Sequence, residues 1–397
     1  MPGMAAGGRI LLAYLIYFAA IGAAFPYLPV FYHDIGLGLE QIGILTALQA
    51  AIQLLLAPVW GGLADRFPHT RLTLPLAAAV ATVGATLLFR ADDFPTVLVG
   101  SLVLYAGISG IAPTLDARTL ETLGSERRSR YGEVRAFGSL AFVLATLAVG
   151  FVLDAEGARA LFWIYIPFLI GTVVVTATIP RRGVSHSVNL MRGTGQFLAT
   201  PGVALFLIGF TVVWGSLAAV NAFYSIQIVA LGGSTGLVGI AWAIGASIEV
   251  PIMYAFPRIG RRVGTERLVV LGALAFALRA LLASLIVDPV ALVLVAPLEG
   301  IGFACVFVGG VTVVAARAPA GLQGTAQGLF AGASGLATII GSVAGGAIAE
   351  ALGIPGLFLL CAVGCLVGTA IVALALLGPR NTSRIPRAVE PPMTDAA

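Results

Sequence analysis

The chain has 397 residues, of which 59% are hydrophobic and only 10% charged, with a mean hydropathy of +1.02. Soluble domains carry about 25% charged residues, and a water-exposed surface this apolar would aggregate, so a soluble enzyme or binding module is excluded and a polytopic membrane protein follows. All 22 basic residues are arginine, and with 50 glycines and heavy alanine use this points to a GC-rich bacterial genome.

After Arg9 the run "ILLAYLIYFAAIGAAFPYLPVFY" is too long for a signal-peptide core and has no cleavage site behind it, so it is predicted as the first membrane span. A span needs about 20 predominantly apolar residues. Twelve such stretches follow in chain order, at 10–32, 40–62, 71–90, 95–121, 132–153, 160–180, 201–230, 236–256, 267–287, 290–315, 324–350 and 355–378. Lipid leaves no partner for an open strand edge, and these runs are far too long for strands, so all twelve are expected to be helices. The fold class expected is all-α and polytopic, as two pseudo-symmetric six-helix bundles. These are residues 1–180 and 201–378, joined by the polar linker 181–200 and followed by a Pro-rich, disordered tail at 379–397.

Arginine placement orients the spans. With the N-terminus in the cytoplasm, seventeen arginines fall on the cytoplasmic side and two, Arg90 and Arg159, on the other. Both termini are therefore expected inside a bacterial cytoplasmic (inner) membrane. Arg118, Arg135 and Arg279 are left within or at the edges of spans.

The halves repeat. Shifted by 196 residues, 137–162 lies on 333–358 without a gap, and eight of the 26 positions are identical. At the same offset Gly43 falls on Gly239, Gln53 on Glu249 and Arg71 on Arg267. Parallel six-helix halves with a solute site between them near midplane are a transporter architecture.

Ionisable groups in a bilayer are costly and need a reason. The stretch "PTLDARTLE" places Asp116 about one turn inside the fourth span, and Arg135 sits about one turn inside the fifth. The two spans form an antiparallel hairpin, so both groups are expected at similar depth, as a solute-facing pair or as a structural brace. Arg118 lies about 200° around the helix from Asp116. It is expected to snorkel and to pair with Glu121, three residues on, at a wet helix end. Glu249 is in the eighth span beside Pro251. Arg279 in the ninth span and Glu299 in the tenth each lie roughly ten residues from the turn at Asp288–Pro289 and are expected to meet near midplane. An arginine facing a buried glutamate can hold it ionised, which is the least a proton-carrying carboxyl requires. Gln49, Gln53, Trp214 and Asn221 are neutral candidates for lining a cavity, or for joining helices.

The chain has no Gly-x-x-x-x-Gly-Lys pattern and no lysine, which argues against ATP-driven transport. Cys305, Cys361 and Cys365 lack metal-ligand spacing and are expected to be packing residues. No cofactor is expected, with the proton as coupling ion, and no metal, nucleotide or nucleic acid. The partners expected are a small solute and the bilayer, with the protein acting as a monomer and not as an enzyme.

After the second span, "GGLADRFPHTR" resembles the loop signature of the major facilitator superfamily. Gly62, Asp65, Arg66 and Arg71 match it, and Pro68 stands where the pattern usually has Gly. In that family the loop holds the halves together on the cytoplasmic side through charge contacts. "YFAAIGAAFPYLPVFYHDIG" (17–36) and "RYGEVRAFGSLAF" (130–142) are similar to the first and fifth helices of the lactose and phenylpropionate permease branch. That resemblance implies a solute-binding role for Asp116 and Arg135, and proton coupling by Arg279 and Glu299; Glu249 is a second candidate from its place in the eighth span, and for both glutamates a static buried ion pair is the alternative. The function implied is proton symport of a sugar, nucleoside or aromatic acid by alternating access. The alternative is a proton-coupled efflux antiporter. The Gly-Pro-x-x-Gly-Gly signature usual for antiporters is absent from the fifth span, "GSLAFVLATLAVG".

Overall fold

The computed structural model describes residues 2–66, 72–123, 131–179, 194–319 and 321–378. Among these residues the regular structure is entirely helical, with no strand. The spanning helices are α1 (Gly7–Asp34), α2 (Leu39–Arg66), α3 (Thr73–Phe89), α4 (Phe94–Leu123), α5 (Tyr131–Glu156) and α6 (Leu161–Ala177). They continue with α7 (Val203–Ala230), α8 (Thr235–Val263), α9 (Thr265–Leu285) and α10 (Pro289–Arg317). The last two, α11 and α12, are the arms of a 55-residue helical stretch, Gln323–Leu377, broken at Gly353, where φ is +74° and ψ 165°. Unbroken, that stretch would run about 80 Å, against a hydrocarbon core of about 30 Å. Among the described residues, ten stretches are long and apolar enough to cross a membrane. Dividing the longest at Gly353 and adding the shorter apolar helix Thr73–Phe89 gives twelve crossings.

Two boundaries differ from the sequence expectation in a way that matters. Helix α2 runs on to Arg66, so Gly62, Asp65 and Arg66 stand on its last turns instead of in a loop. "LADR" contains nothing to stop a helix. The first stop is Pro68, which disfavours helical geometry in the residue before it. Gly62 and Arg66 are exposed there, while the Asp65 side chain and Arg71 lie outside the described residues. Most of the 181–200 linker also lies outside them, and its described end carries one helical turn, Thr194–Leu198.

Helices α1–α6 and α7–α12 meet chiefly at one end, the end opposite the arginine-rich face. One buried cluster runs through α1–α6 and takes in that end of the other helices, including Phe223, Val238, Leu292, Ala349 and Phe358. A second cluster, with Phe206, Phe210, Val269, Val313 and Phe330, belongs to α7–α12 alone, toward the arginine-rich face.

Glycines allow the close approach. A Cβ on Gly43 of α2 would stand 2.5 Å from the Ser342 carbonyl of α11, and one on Gly239 of α8 2.8 Å from the Thr146 carbonyl of α5. The offset of 196 relates these two contacts, since it carries Gly43 to Gly239 and Thr146 to Ser342. It also carries Asp154 to Glu350. Each of these carboxylates reaches across to a helix N-terminus of the other half: Asp154 accepts from the backbone N–H of Gly236 at 3.0 Å, and Glu350 from that of Leu39 at 2.8 Å.

Candidate functional site

A cavity of about 410 Å³ lies between the halves. Gln49 and Gln53 line it from one face of α2, one turn apart, and Trp214 and Asn221 from one face of α7, two turns apart. Tyr32 of α1, Tyr105 of α4 and Phe303 of α10 add aromatic faces. Trp214 packs against Phe303 and Phe307, with ring centroids 5.5 and 5.6 Å away. Phe307 stands in a π-helical turn, Ala304–Val308, which shifts the register of α10 as it passes the cavity. All four neutral residues singled out in the sequence line this cavity, and among the described residues no charged side chain does.

Asp116 and Arg135 meet, but elsewhere. Arg135 Nη1 donates to Asp116 Oδ1 at 3.4 Å, and the Tyr14 hydroxyl donates to the same oxygen at 2.5 Å. The Arg135 guanidinium also lies 4.8 Å above the Phe18 ring, a cation–π contact that pins its orientation. The pair is absent from the cavity lining because Asp116 lies eleven residues beyond Tyr105 on α4, about 16 Å further toward the arginine-rich face. Its side chains are partly open, 43% exposed for Arg135 and 31% for Asp116.

Arg118 corrects the sequence reading. It is buried at 3% exposure, and Nη2 donates to Thr73 Oγ1 of α3 at 3.3 Å. Helix α4 continues to Leu123, so Arg118 is more than a turn inside it. The rotation from Asp116 turns it toward α3 and not toward water. The Glu121 side chain lies outside the described residues.

In the other half Arg279 and Glu299 come together through a third residue. Arg279, 2% exposed, donates from Nη1 to Asn221 Oδ1 at 2.7 Å, and its guanidinium lies 4.4 Å over the Tyr224 ring. Glu299 is buried within reach of both Arg279 and Asn221. The expected contact was between the two charges; in the structure the Asn221 amide takes the guanidinium instead. Gly245 of α8 makes room for the carboxylate, since a Cβ there would stand 2.9 Å from Glu299 Oε2. Glu249, one turn further along α8, is half-buried and within electrostatic reach of Glu299 and of Arg135 in the opposite half.

Sequence reasoning missed Tyr14, Phe18 and Tyr224, which looked like ordinary span aromatics. It also missed the roles of Asp154 and Glu350, although the repeat alignment set one above the other. The three cysteines are buried and unpaired with one another. Among the described residues no group of three or more His, Cys, Asp or Glu could hold a metal ion.

The family model for the MFS_1 like family matches residues 9–360. A maltose permease of Geobacillus stearothermophilus is 30% identical over 271 residues, covering 68% of each chain. A probable 3-phenylpropionic acid transporter of Escherichia coli (strain K12) is 25% identical over 281 residues, covering 67% of this chain and 70% of that one. Among solved structures, the nucleoside transporter NupG superposes with a TM-score of 0.84 at 15% identity, over 93% of this chain and 98% of that chain; at that identity the likeness shows the fold. The family match runs from α1 into α12, around a cavity enclosed by both halves, and the chain belongs to the MFS_1-like family, as a membrane transporter of the major facilitator superfamily.

Proposed function

We propose that the protein imports an uncharged, hydroxyl-rich small solute, a sugar first and a nucleoside second, together with a proton, by alternating access between its two six-helix halves. What supports this most is the chemistry of the cavity: amides from Gln49, Gln53 and Asn221 among aromatic faces, with no charge among the described lining residues. Sugar hydroxyls pair with amides, and the apolar faces of sugar rings lie against aromatic rings. A carboxylate solute would ask for a cation in the lining, and Arg135 lies outside it, paired with Asp116 at 3.4 Å. The resemblance to a maltose permease points the same way.

The halves are the residue ranges 1–180 and 201–378. With the arginine-rich face in the cytoplasm, the packed ends of α2 with α11 and of α5 with α8 close the outer side, and the solute would leave inward past Asp116 and Arg135. Glu299 is the proposed proton carrier, with Arg279 as the cation that stabilises its ionised form and Glu249 as a second carboxyl close by. The charge of Asp65 and Arg66 at the end of α2 would act when the inner side closes.

The test is uptake into proteoliposomes under an imposed pH gradient, with sugars, nucleosides and aromatic acids compared. Gradient-driven accumulation of a sugar or nucleoside is expected. Accumulation of aromatic acids alone would overturn the solute class, and accumulation only when the gradient is reversed would make the protein an exporter. Glu299→Gln should abolish accumulation and leave solute exchange intact.

A further inference from the structure

We infer that Asn221 is the positioning residue that links occupation of the cavity to the proton on Glu299. The inference rests on the proton symport proposed above and adds the residue through which solute and proton sense one another. Asn221 belongs to both sites: its side chain lines the cavity, and its Oδ1 accepts from Arg279 Nη1 at 2.7 Å. Nothing else singled out in the sequence does so. Trp214, Gln49 and Gln53 line the cavity, and Arg279 and Glu299 are not among its described lining residues.

The direction of the link follows from donor and acceptor chemistry. An amide has one carbonyl oxygen and one NH₂. While Arg279 holds Oδ1, the amide cannot rotate; Nδ2 carries two hydrogens, and with one directed at Glu299 the other is left to donate to a solute oxygen. An ionised Glu299 would compete for the same guanidinium, because an arginine–carboxylate pair is stronger than an arginine–amide bond. When Glu299 loses its proton, Arg279 turns to it and releases the amide, and the solute loses an oriented donor. The proton and the solute therefore favour each other's binding, as symport requires, and the effect must be reciprocal. The structure has Arg279 on Asn221 and not paired directly with Glu299, the arrangement that fits a carboxyl carrying its proton.

The groups facing Glu299 are Arg279 from α9, Asn221 and Tyr224 from α7, and Glu249 from α8. Tyr224 lies under the guanidinium, its hydroxyl donates to the Leu292 carbonyl at 2.6 Å, and its oxygen is left to accept from Arg279, so it steadies the guanidinium beside Asn221. Glu249 is a second acid within electrostatic reach of Glu299.

The experiment measures binding of three probes, maltose, uridine and 3-phenylpropionate, to the purified protein between pH 6 and pH 9. For whichever binds, affinity should fall at least about tenfold across that range, and Glu299→Gln should flatten the profile with the affinity kept high. Asn221→Ala should weaken binding and also flatten the profile. Asn221→Ser, which keeps a small acceptor for Arg279, should restore part of the slope, and serves if the alanine variant fails to fold. Trp214→Phe should weaken binding and leave the slope unchanged. A profile flattened by Glu299→Gln but retained in both Asn221 variants overturns the inference and leaves proton symport standing. A wild-type profile that Glu299→Gln does not alter, or binding of none of the three probes, removes the proposed function and the inference with it.

Discussion

The two seams that join the halves, α5 against α8 and α2 against α11, are copies of one contact, and they have diverged in strength. In the first, Asp154 takes two donors, Thr235 Oγ1 at 2.7 Å and the Gly236 N–H at 3.0 Å, and the single Thr235 hydroxyl hydrogen is shared with the Gly150 carbonyl, 2.8 Å from Oγ1. The Tyr27 hydroxyl adds a bond to the Thr146 carbonyl at 2.5 Å. In the second, Glu350 accepts from the Leu39 N–H at 2.8 Å, and the equivalents of Thr235 and Tyr27 are missing: Leu39 stands at the first position, and the same offset puts Phe223 in place of Tyr27. A carboxylate at a helix N-terminus answers both the open N–H groups and the positive end of the helix dipole. Duplication kept that electrostatic clasp in both seams and kept the glycines that let the backbones touch. The side-chain hydrogen bonds were elaborated in one seam only. The α5–α8 seam is therefore expected to hold longer as the outer side opens, and the α2–α11 seam to part first.

Filling the glycines should give the largest effect, because it acts on backbone contacts that cannot yield. Gly43→Val or Gly239→Val places a branched side chain where even a Cβ stands within 2.8 Å of a facing carbonyl oxygen. Either should force the seams apart and expose the cavity from the arginine-poor side. With a reporter cysteine at Thr46, which lines the cavity, labelling by a membrane-impermeant maleimide should rise by about tenfold or more, equivalent to about 1.4 kcal/mol. Unchanged labelling in both variants would mean that the seams are not the barrier.

Removing the carboxylates tests the asymmetry itself. Asp154→Ala loses two hydrogen bonds to a charged acceptor and Glu350→Ala loses one. Both groups are exposed, so water and salt take back much of each bond. Labelling at the same reporter should rise about fivefold for Asp154→Ala and about twofold for Glu350→Ala, from a net worth of about 0.5–1 kcal/mol per bond. Equal effects, or a larger one at Glu350, would reverse the ranking of the seams.

Much of this architecture is legible in the sequence, and the reasons for what is not are specific. Span length and the arginine pattern give twelve helices because lipid allows few alternatives. The 196-residue offset finds the seams, since Gly43 on Gly239 and Asp154 on Glu350 are both in register. Depth along an antiparallel hairpin brings Asp116 to Arg135. Depth does not say which face of a helix abuts which neighbour. That is why Arg118, turned correctly away from Asp116, was expected in water and lies buried against Thr73. It is also why Arg279 and Glu299 were expected to touch. The amide between them comes from α7, 58 residues away from Arg279 along the chain, and no periodicity within α9 or α10 reports on it.

The smallest change discriminates best, because it alters one seam by a single oxygen. Thr235→Val keeps the shape of the side chain and removes the one hydroxyl hydrogen that Asp154 and the Gly150 carbonyl share. The Asp154 carboxylate keeps the Gly236 N–H, so the clasp is weakened and not lost. Labelling at the Thr46 reporter should rise about twofold, from roughly 0.5 kcal/mol for one exposed hydrogen bond, which brings the α5–α8 seam level with its copy. In that background Glu350→Ala should add its own effect independently, since the two seams share no partner. A combined effect well beyond the product of the two would mean that the seams open as one unit, and that strength in one cannot compensate for weakness in the other.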